Sequence, residues 1–229
     1  MAEGRGLPSA ATSADRLASL RVSEIFHSLQ GESTRVGLPT VFIRLTGCPL
    51  RCLWCDSEYA FTGGERMGIA EMLSEVARYQ CHHVCVTGGE PLAQAACLSL
   101  LACLCDAGYS VSLETSGALD ITQVDARVVR IMDLKAPGSG EVERNLWSNL
   151  AELRAQDEIK FVLAGEEDYQ WARDRLREHG LAAVCTVLFA PVQGQLDPVD
   201  LAAWILRDRL PVRFQLQLHK ILWGAERRR

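Results

Sequence analysis

Residues 47–56, GCPLRCLWCD, place Cys48, Cys52 and Cys55 in a C-x3-C-x2-C spacing within one loop. A structural zinc site closes with four ligands that usually come from two paired half-sites, and no second pair follows at a suitable distance. The segment Cys81 to Cys85 is the nearest candidate, but it runs from the end of a predicted helix into a predicted strand. Three cysteines suit an iron–sulfur cluster in which one iron has no protein ligand and is open to a small molecule.

The segments on either side of this loop alternate between strand and helix patterns. RVSEIFHSL (21–29) and TVFIRLTG (40–47) read as strands, and apolar residues at 69, 72, 73, 76 and 77 predict an amphipathic helix over 69–80. Further strands are predicted at 83–89, 110–117, 128–135, 158–165, 186–192 and 213–220. Further helices are predicted from 91 to 108, within 144–155, and over 166–180 and 198–209.

This alternation implies parallel strands that are joined by right-handed crossovers. About six to eight strands are too few for a closed eight-stranded barrel of roughly 250 residues. We therefore predict an α/β fold, a partial (incomplete) TIM-like β/α barrel whose working face lies at the carboxyl ends of the strands.

The composition is that of a globular enzyme-sized domain, with 48% hydrophobic and 23% charged residues. A net charge of −5 does not favour nucleic acid or anionic lipid, and no run of roughly 18 apolar residues predicts a membrane span. Residues 1–19 are small and polar and are predicted to form a disordered leader, followed by a single domain over 20–229. We expect a cytoplasmic location, since there is no secretory signal and six of the nine cysteines lie in apolar segments typical of a core.

A second motif, VTGGEP (86–91), ends a predicted strand and opens a helix. Alone, the glycine pair would indicate a tight turn. Together with the cysteine loop it resembles the paired motifs of the radical S-adenosylmethionine (SAM) superfamily. That resemblance implies a 4Fe-4S cluster on Cys48, Cys52 and Cys55, SAM on the open iron, and the partial barrel of that superfamily, with Glu90 beside the SAM amino group.

Four more segments narrow the resemblance: FHSLQGES (26–33), VFIRLTGC (41–48), CDSEYAF (55–61) and LQLHK (216–220). They resemble the 7-carboxy-7-deazaguanine synthase family of queuosine and 7-deazapurine biosynthesis. The resemblance implies a carbon–nitrogen lyase that converts 6-carboxy-5,6,7,8-tetrahydropterin to 7-carboxy-7-deazaguanine with loss of ammonia. It also implies Mg²⁺ dependence, catalytic use of SAM, an external electron donor such as flavodoxin, and a homodimer.

The same resemblance assigns the site residues. Substrate contacts fall on Leu29, Gln30, Gly31, Arg44 and Thr87. SAM contacts fall on Trp54, Cys55, Asp56, Gly89, Asp133, Leu134 and Lys135. Ser57 takes the position of the hydroxyl that binds Mg²⁺, and no residue is assigned as a general acid or base, because the chemistry is that of the cluster and SAM.

Several positions keep a second interpretation. Arg44 would hold the substrate carboxylate, or else lie on the surface of an edge strand, and Asp56 could instead form an Asx turn. Lys160 faces either outward or into the pocket. Roles for His219 and Lys220 stay open.

The chain departs from the family pattern in two places. Ser33 stands where the family's QGEG loop has glycine, and the C-terminal sequence WGAERRR lacks the proline that contacts substrate in some members. We interpret the arginine run 227–229 as a solvated tail.

Two other functions fit part of the sequence. A glycyl-radical-enzyme activating enzyme shares the cysteine spacing but usually lacks the SLQGE and CDS segments, and its partner would be a protein. A non-catalytic zinc-binding module would use the cysteines alone.

Overall fold

The computed structural model describes residues 17–224 and 226–228. Most of the predicted leader, residues 1–16, lies outside the described residues. The strands are β1 (Ser19–Leu29), β2 (Pro39–Leu45), β3 (Glu65–Gly68), β4 (His83–Gly88), β5 (Ser110–Thr115), β6 (Val129–Asp133), β7 (Glu158–Leu163), β8 (Thr186–Pro191) and β9 (Arg213–Phe214). The α-helices are α1 (Ile69–Arg78), α2 (Cys97–Asp106), α3 (Glu166–Glu178), α4 (Pro198–Asp208) and α5 (Leu218–Trp223).

These strands form one sheet in the order β3-β1-β2-β4-β5-β6-β7-β8-β9, which does not close on itself. The predicted partial barrel is therefore confirmed. From β2 onward, excluding β3, neighbouring strands run parallel, whereas β1 runs antiparallel to both β2 and β3. The prediction of parallel strands is wrong at β1, because the short connection from β1 to β2 can join only antiparallel neighbours.

Strand β2 shows how the two faces of the sheet differ. Val41, Ile43 and Leu45 are buried in the main core, where α-helices cover the outer face, while Phe42 and Arg44 line a cavity on the inner face. This alternation follows from the two-residue period of a strand. Because β2 lies between β1 and β4, the edge-strand interpretation of Arg44 is wrong.

Three predicted elements differ from the structure. The helix expected within 144–155 is a 3-10 helix, Trp147–Glu152. The helix expected from 91 begins with a 3-10 turn, Pro91–Ala93, and α2 starts only at Cys97. The strand expected over 213–220 is reduced to the two residues of β9, after which the chain turns into α5.

The cysteines divide as their sequence context predicts. Four of the six outside the loop are buried, Cys85, Cys97, Cys103 and Cys185, while Cys81 and Cys105 are half-buried. In the described ranges, no helix combines the length and apolar character needed to span a membrane.

Candidate active site

One cavity of about 770 Å³ occupies the inner face of the sheet. It is lined by all but one of the residues assigned to substrate, SAM, cluster and Mg²⁺: Leu29, Gln30, Gly31, Arg44, Cys48, Cys52, Trp54, Cys55, Asp56, Ser57, Thr87, Gly89, Asp133 and Lys135. The exception is Leu134, whose side chain is 1% exposed and packs in the main core. A contact from Leu134 to a ligand would have to come from its backbone.

The cysteine loop packs closely against the end of β4. A Cβ atom added to Gly89 would lie 2.3 Å from the Gly47 carbonyl oxygen and 2.8 Å from Cys48 Cβ, and one added to Gly88 would lie 2.3 Å from the Leu45 carbonyl oxygen. Glycine is therefore required at both positions by this backbone contact, independently of any ligand. The glycines of VTGGEP therefore pack directly against the cysteine loop and the end of β2.

The three cysteines fit an iron–sulfur cluster. All are half-buried and line the cavity, and burial raises the pKa of the Cys48 and Cys52 thiols. Across residues 17–224 and 226–228, no three His, Cys, Asp or Glu side chains converge closely enough to hold a single metal ion.

Glu90 does not face the cavity. Its carboxylate is fully buried and accepts hydrogen bonds from the Leu92 amide (3.0 Å), from the Thr115 hydroxyl (3.0 Å) and from the amide and hydroxyl of Ser116 (2.7 and 2.6 Å). All of these donors belong to the protein, and the assignment of Glu90 to the SAM amino group stays a prediction. Glu90 fixes the turn after β4 to the end of β5.

Three polar side chains form a connected group on the wall near β4 and β5. Thr87 Oγ1 donates to Glu114 Oε2 (3.0 Å), and Gln30 Nε2 donates to Glu114 Oε1 (3.3 Å). Together they present a carboxylate, an amide and a hydroxyl to the cavity. This mixture of donors and acceptors suits the edge of a nitrogen heterocycle.

Arg44 is held by a buried acid from the neighbouring strand. Its Nε atom donates to Glu24 Oε1 at 3.0 Å, and the hydroxyl of Tyr59 donates to the same oxygen at 2.8 Å. The Glu24 side chain is 1% exposed. This bond uses only the Nε atom of Arg44. The two terminal nitrogens of the guanidinium group take no part in it.

Ser33 of the QGES loop adopts a backbone conformation that favours glycine and is held there by hydrogen bonds. Ser33 has φ of 65°, in the left-handed region that favours glycine. Its amide donates to Gln215 Oε1 (2.9 Å), its carbonyl accepts from Gln215 Nε2 (2.8 Å), and its hydroxyl accepts from the Arg35 amide (3.1 Å). These bonds offset the conformational cost of a serine at this position.

Gly31 lies directly against the start of α5. A Cβ atom there would be 2.2 Å from His219 Nδ1 and 3.1 Å from the His219 backbone nitrogen, and the Gly31 carbonyl accepts from the Leu218 amide at 2.9 Å. This glycine is therefore needed for the contact that brings His219 to the cavity wall.

The CDS segment contacts the same helix. Lys220 Nζ forms an ion pair with Asp56 Oδ2 at 2.9 Å. Desolvation opposes ionisation of Asp56, but the ammonium of Lys220 outweighs it and lowers the pKa of Asp56 to about 2. Asp56 is thus ion-paired rather than simply part of a turn. Ser57 Oγ is 3.9 Å from Cys55 Sγ and is exposed to the cavity.

Arg227 and Arg228 lie at the cavity and not entirely in solvent, as the solvated-tail interpretation would have it, while Arg229 lies outside the described residues. The guanidinium carbon of Arg227 is 3.6 Å from the centre of the Tyr59 ring, and Arg228 Nε is 3.4 Å from Glu24 Oε2. Both side chains remain more than half exposed. Arg44 and Arg227 both lie beside the Tyr59 ring, so Arg227 adds positive charge near Arg44.

Comparison with known proteins decides the family. The chain is 47% identical to the 7-carboxy-7-deazaguanine synthase of Chlorobaculum tepidum, over 92% of this chain and 97% of that protein. It is 43% identical to the protein of the same name from Koribacter versatilis, over 90% and 98% of the two chains. The chain belongs to the 7-carboxy-7-deazaguanine synthase family. The model of the radical SAM superfamily matches residues 42–134, which span β2 to β6 and both paired motifs.

A solved structure of QueE from Escherichia coli has the same fold, with a TM-score of 0.70, 23% identity, and coverage of 88% of this chain and 95% of that one. Membership of the synthase family confirms the resemblance read from the sequence and the open α/β architecture.

The sequence motifs assign no role to Glu24, Glu32, Tyr59 or Glu114, which line the cavity. Of the two positions left open for Lys160, the structure has the pocket one. Glu114 is the one charged residue of its predicted strand, in SLETS. An isolated charge in a buried strand needs a partner, and this signal could have indicated Glu114.

Proposed function

We propose that this chain converts 6-carboxy-5,6,7,8-tetrahydropterin to 7-carboxy-7-deazaguanine with loss of ammonia. The observation that carries the proposal is that the residues assigned from separate motifs meet around one cavity. Its volume, about 770 Å³, falls within the usual range of ligand pockets, roughly 300–1,000 Å³. It is also lined by both thiols and polar side chains, as a site for two ligands requires.

The cluster half of the cavity consists of Cys48, Cys52 and Cys55, with Trp54 and Gly89 beside them. Cys48, Cys52 and Cys55 would hold the cluster, which with SAM would supply radical chemistry for hydrogen abstraction from the substrate, with SAM used catalytically. The chain's own contribution is to hold the three thiolates on a loop that is fixed by Gly88 and Gly89.

The substrate half consists of the wall around Arg44 and Thr87. Arg44 binds the substrate carboxylate through its free guanidinium nitrogens, since a planar fork matches a carboxylate. Gln30, Thr87 and Glu114 bind the pterin edge. The backbone of Leu29 and Gly31 closes this side of the pocket.

Ser57 is the proposed protein ligand of Mg²⁺. Magnesium keeps several waters or substrate oxygens and needs few ligands from the protein. One hydroxyl beside the substrate carboxylate is therefore sufficient to place the ion where it orients the substrate.

The remaining proposals concern the cellular setting. The enzyme works in the cytoplasm as a homodimer and takes electrons from an external donor such as flavodoxin. These proposals rest on the family resemblance, and the net charge of −5 agrees with a small-molecule substrate.

An anaerobic turnover assay tests the function. The reconstituted enzyme is incubated with SAM, a reductant and the carboxytetrahydropterin, with and without Mg²⁺. We expect the absorbance of an aromatic deazapurine to appear, faster with Mg²⁺, and more than one product per SAM consumed. If no deazapurine forms while iron and sulfide analysis shows an intact cluster, the proposed reaction is wrong.

A further inference from the structure

Four charges of alternating sign form a continuous chain along the cavity wall. Lys160 Nζ lies 2.5 Å from Glu32 Oε2 and 3.4 Å from Asp133 Oδ2, and Lys135 Nζ lies 3.1 Å from the same Asp133 oxygen. All four side chains line the cavity. Asp133 and Lys160 are direct register partners on β6 and β7, so the sheet itself places them side by side on one face.

The two ends of this charge chain lie in different halves of the site. Glu32 follows Leu29, Gln30 and Gly31, the residues proposed to bind the pterin, and it also accepts a hydrogen bond from Gln217 at 2.6 Å. Asp133 and Lys135 belong to the segment proposed to bind SAM. Lys160 is the group that contacts a carboxylate of each half.

The environment keeps this link ionised. Burial by itself would lower the pKa of Lys160, but Glu32 and Asp133 outweigh it and hold that pKa well above its usual range. Burial would raise the pKa of Glu32, and Lys160 outweighs it and lowers that pKa. An ion pair removed from water is often no more stabilising than an apolar pair of the same size, so stability alone is a weak explanation for the pairing of buried Lys160 with half-buried Glu32 and Asp133.

We propose that Lys160 is a positioning residue that couples the pterin and SAM halves of the site. Because Lys160 holds Glu32 and Asp133 at the same time, the position of the residues that bind the pterin depends on the position of the residues that bind SAM. This inference rests on the proposed function, because it uses the assignment of the two halves. Its consequence is that SAM is cleaved productively only when the pterin is in place.

Two variants test the coupling. Lys160→Met removes the charge and retains an unbranched side chain, and Glu32→Gln keeps the shape of the acid but weakens its pairing with Lys160. Lys135→Met is the matched comparison. Of the two acids, Lys135 pairs only with Asp133, which lies at the SAM end. For each enzyme, the assay measures KM for pterin and for SAM, and the amount of 5′-deoxyadenosine released per product, after the cluster content is matched.

We expect Lys160→Met to raise both KM values, each by about tenfold, and to release several times more 5′-deoxyadenosine per product. Glu32→Gln should raise KM for SAM although Glu32 lies in the pterin half, and Lys135→Met should affect KM for SAM more than KM for pterin. This remote effect is one that a merely structural ion pair would not produce.

Either of two results would overturn the inference: Glu32→Gln leaves KM for SAM and the 5′-deoxyadenosine ratio unchanged, or Lys160→Met shifts only one KM. If Lys160→Met does not fold, Glu32→Gln decides alone, because its side chain has the same shape as the native one. The wild-type enzyme in the same assay separates the two proposals. If the wild type forms no deazapurine, the proposed function is refuted. If the wild type is active but the variants keep its KM values and its ratio of 5′-deoxyadenosine to product, only the proposed role of Lys160 is refuted.

Discussion

Replacing Gly31 by alanine should displace His219 and damage the site without touching the cluster. The added Cβ atom would lie 2.2 Å from His219 Nδ1, 3.0 Å from Cγ and 3.1 Å from the backbone nitrogen. An ordinary contact begins at 3.4 Å, so the ring must move by 3.4 − 2.2 Å, or about 1.2 Å. The backbone contact limits how far rotation of the ring alone can relieve the clash.

The size of the effect follows from these distances. Overpacking of this kind typically costs about 1–3 kcal/mol of stability. A displacement of about 1 Å at a positioned group can reduce activity by about 100-fold. We therefore expect kcat/KM for the pterin to fall between about 10- and 100-fold, while the iron and sulfide content stays that of the wild type.

The assay combines anaerobic steady-state kinetics with urea unfolding. Gly68→Ala is the matched control, because no atom lies within 4 Å of a Cβ atom there and its φ of −72° suits alanine. Adding His219→Ala to Gly31→Ala removes the ring and should restore part of the lost stability, although not the activity. Wild-type stability and kinetics in Gly31→Ala would refute the close contact between the loop and α5.

Three further substitutions test the rest of the site. Cys52→Ala should abolish both the cluster and turnover, as measured by iron and sulfide analysis and product formation, and an active variant would contradict the cluster assignment. Ser57→Ala should raise the Mg²⁺ concentration for half-maximal rate by about tenfold, since a ligand is lost, and an unchanged Mg²⁺ titration would exclude Ser57 as that ligand. Glu24→Gln should raise KM for the pterin by about tenfold, or roughly 1.4 kcal/mol, because it loosens Arg44; an unaltered KM would show that Arg44 needs no such support.

The sequence predicted the architecture more completely than the site. Period-two and helical patterns located nearly every strand and four of the five α-helices, because those patterns follow from burial on one face. The antiparallel direction of β1 could have been inferred from its short connection to β2. The cavity position of Glu24 could not, because a register shift between Val22 and Glu24 reverses the alternation that buries Leu20 and Val22 in the core.

Motifs located the ligand-binding loops but not the charges that hold them. GCPLRCLWCD, VTGGEP and SLQGES are recognisable because their spacing is local. Lys160, the partner of Glu32, and Gln30, a partner of Glu114, are distant in sequence, and the fold brings them together. For the same reason the motif of Glu90 does not show its bond to the Ser116 amide at the end of β5.

The open sheet explains why its inner face carries so many charges. In a closed barrel of this kind, side chains fill the interior, whereas here the inner face borders a cavity of about 770 Å³. A charge on that wall is still largely out of water, so it is stable only beside an opposite charge. Arg44 beside Glu24 and Lys160 beside Glu32 and Asp133 meet this condition. The wall is therefore charged before any ligand binds, and a polar ligand that enters meets groups already held in position.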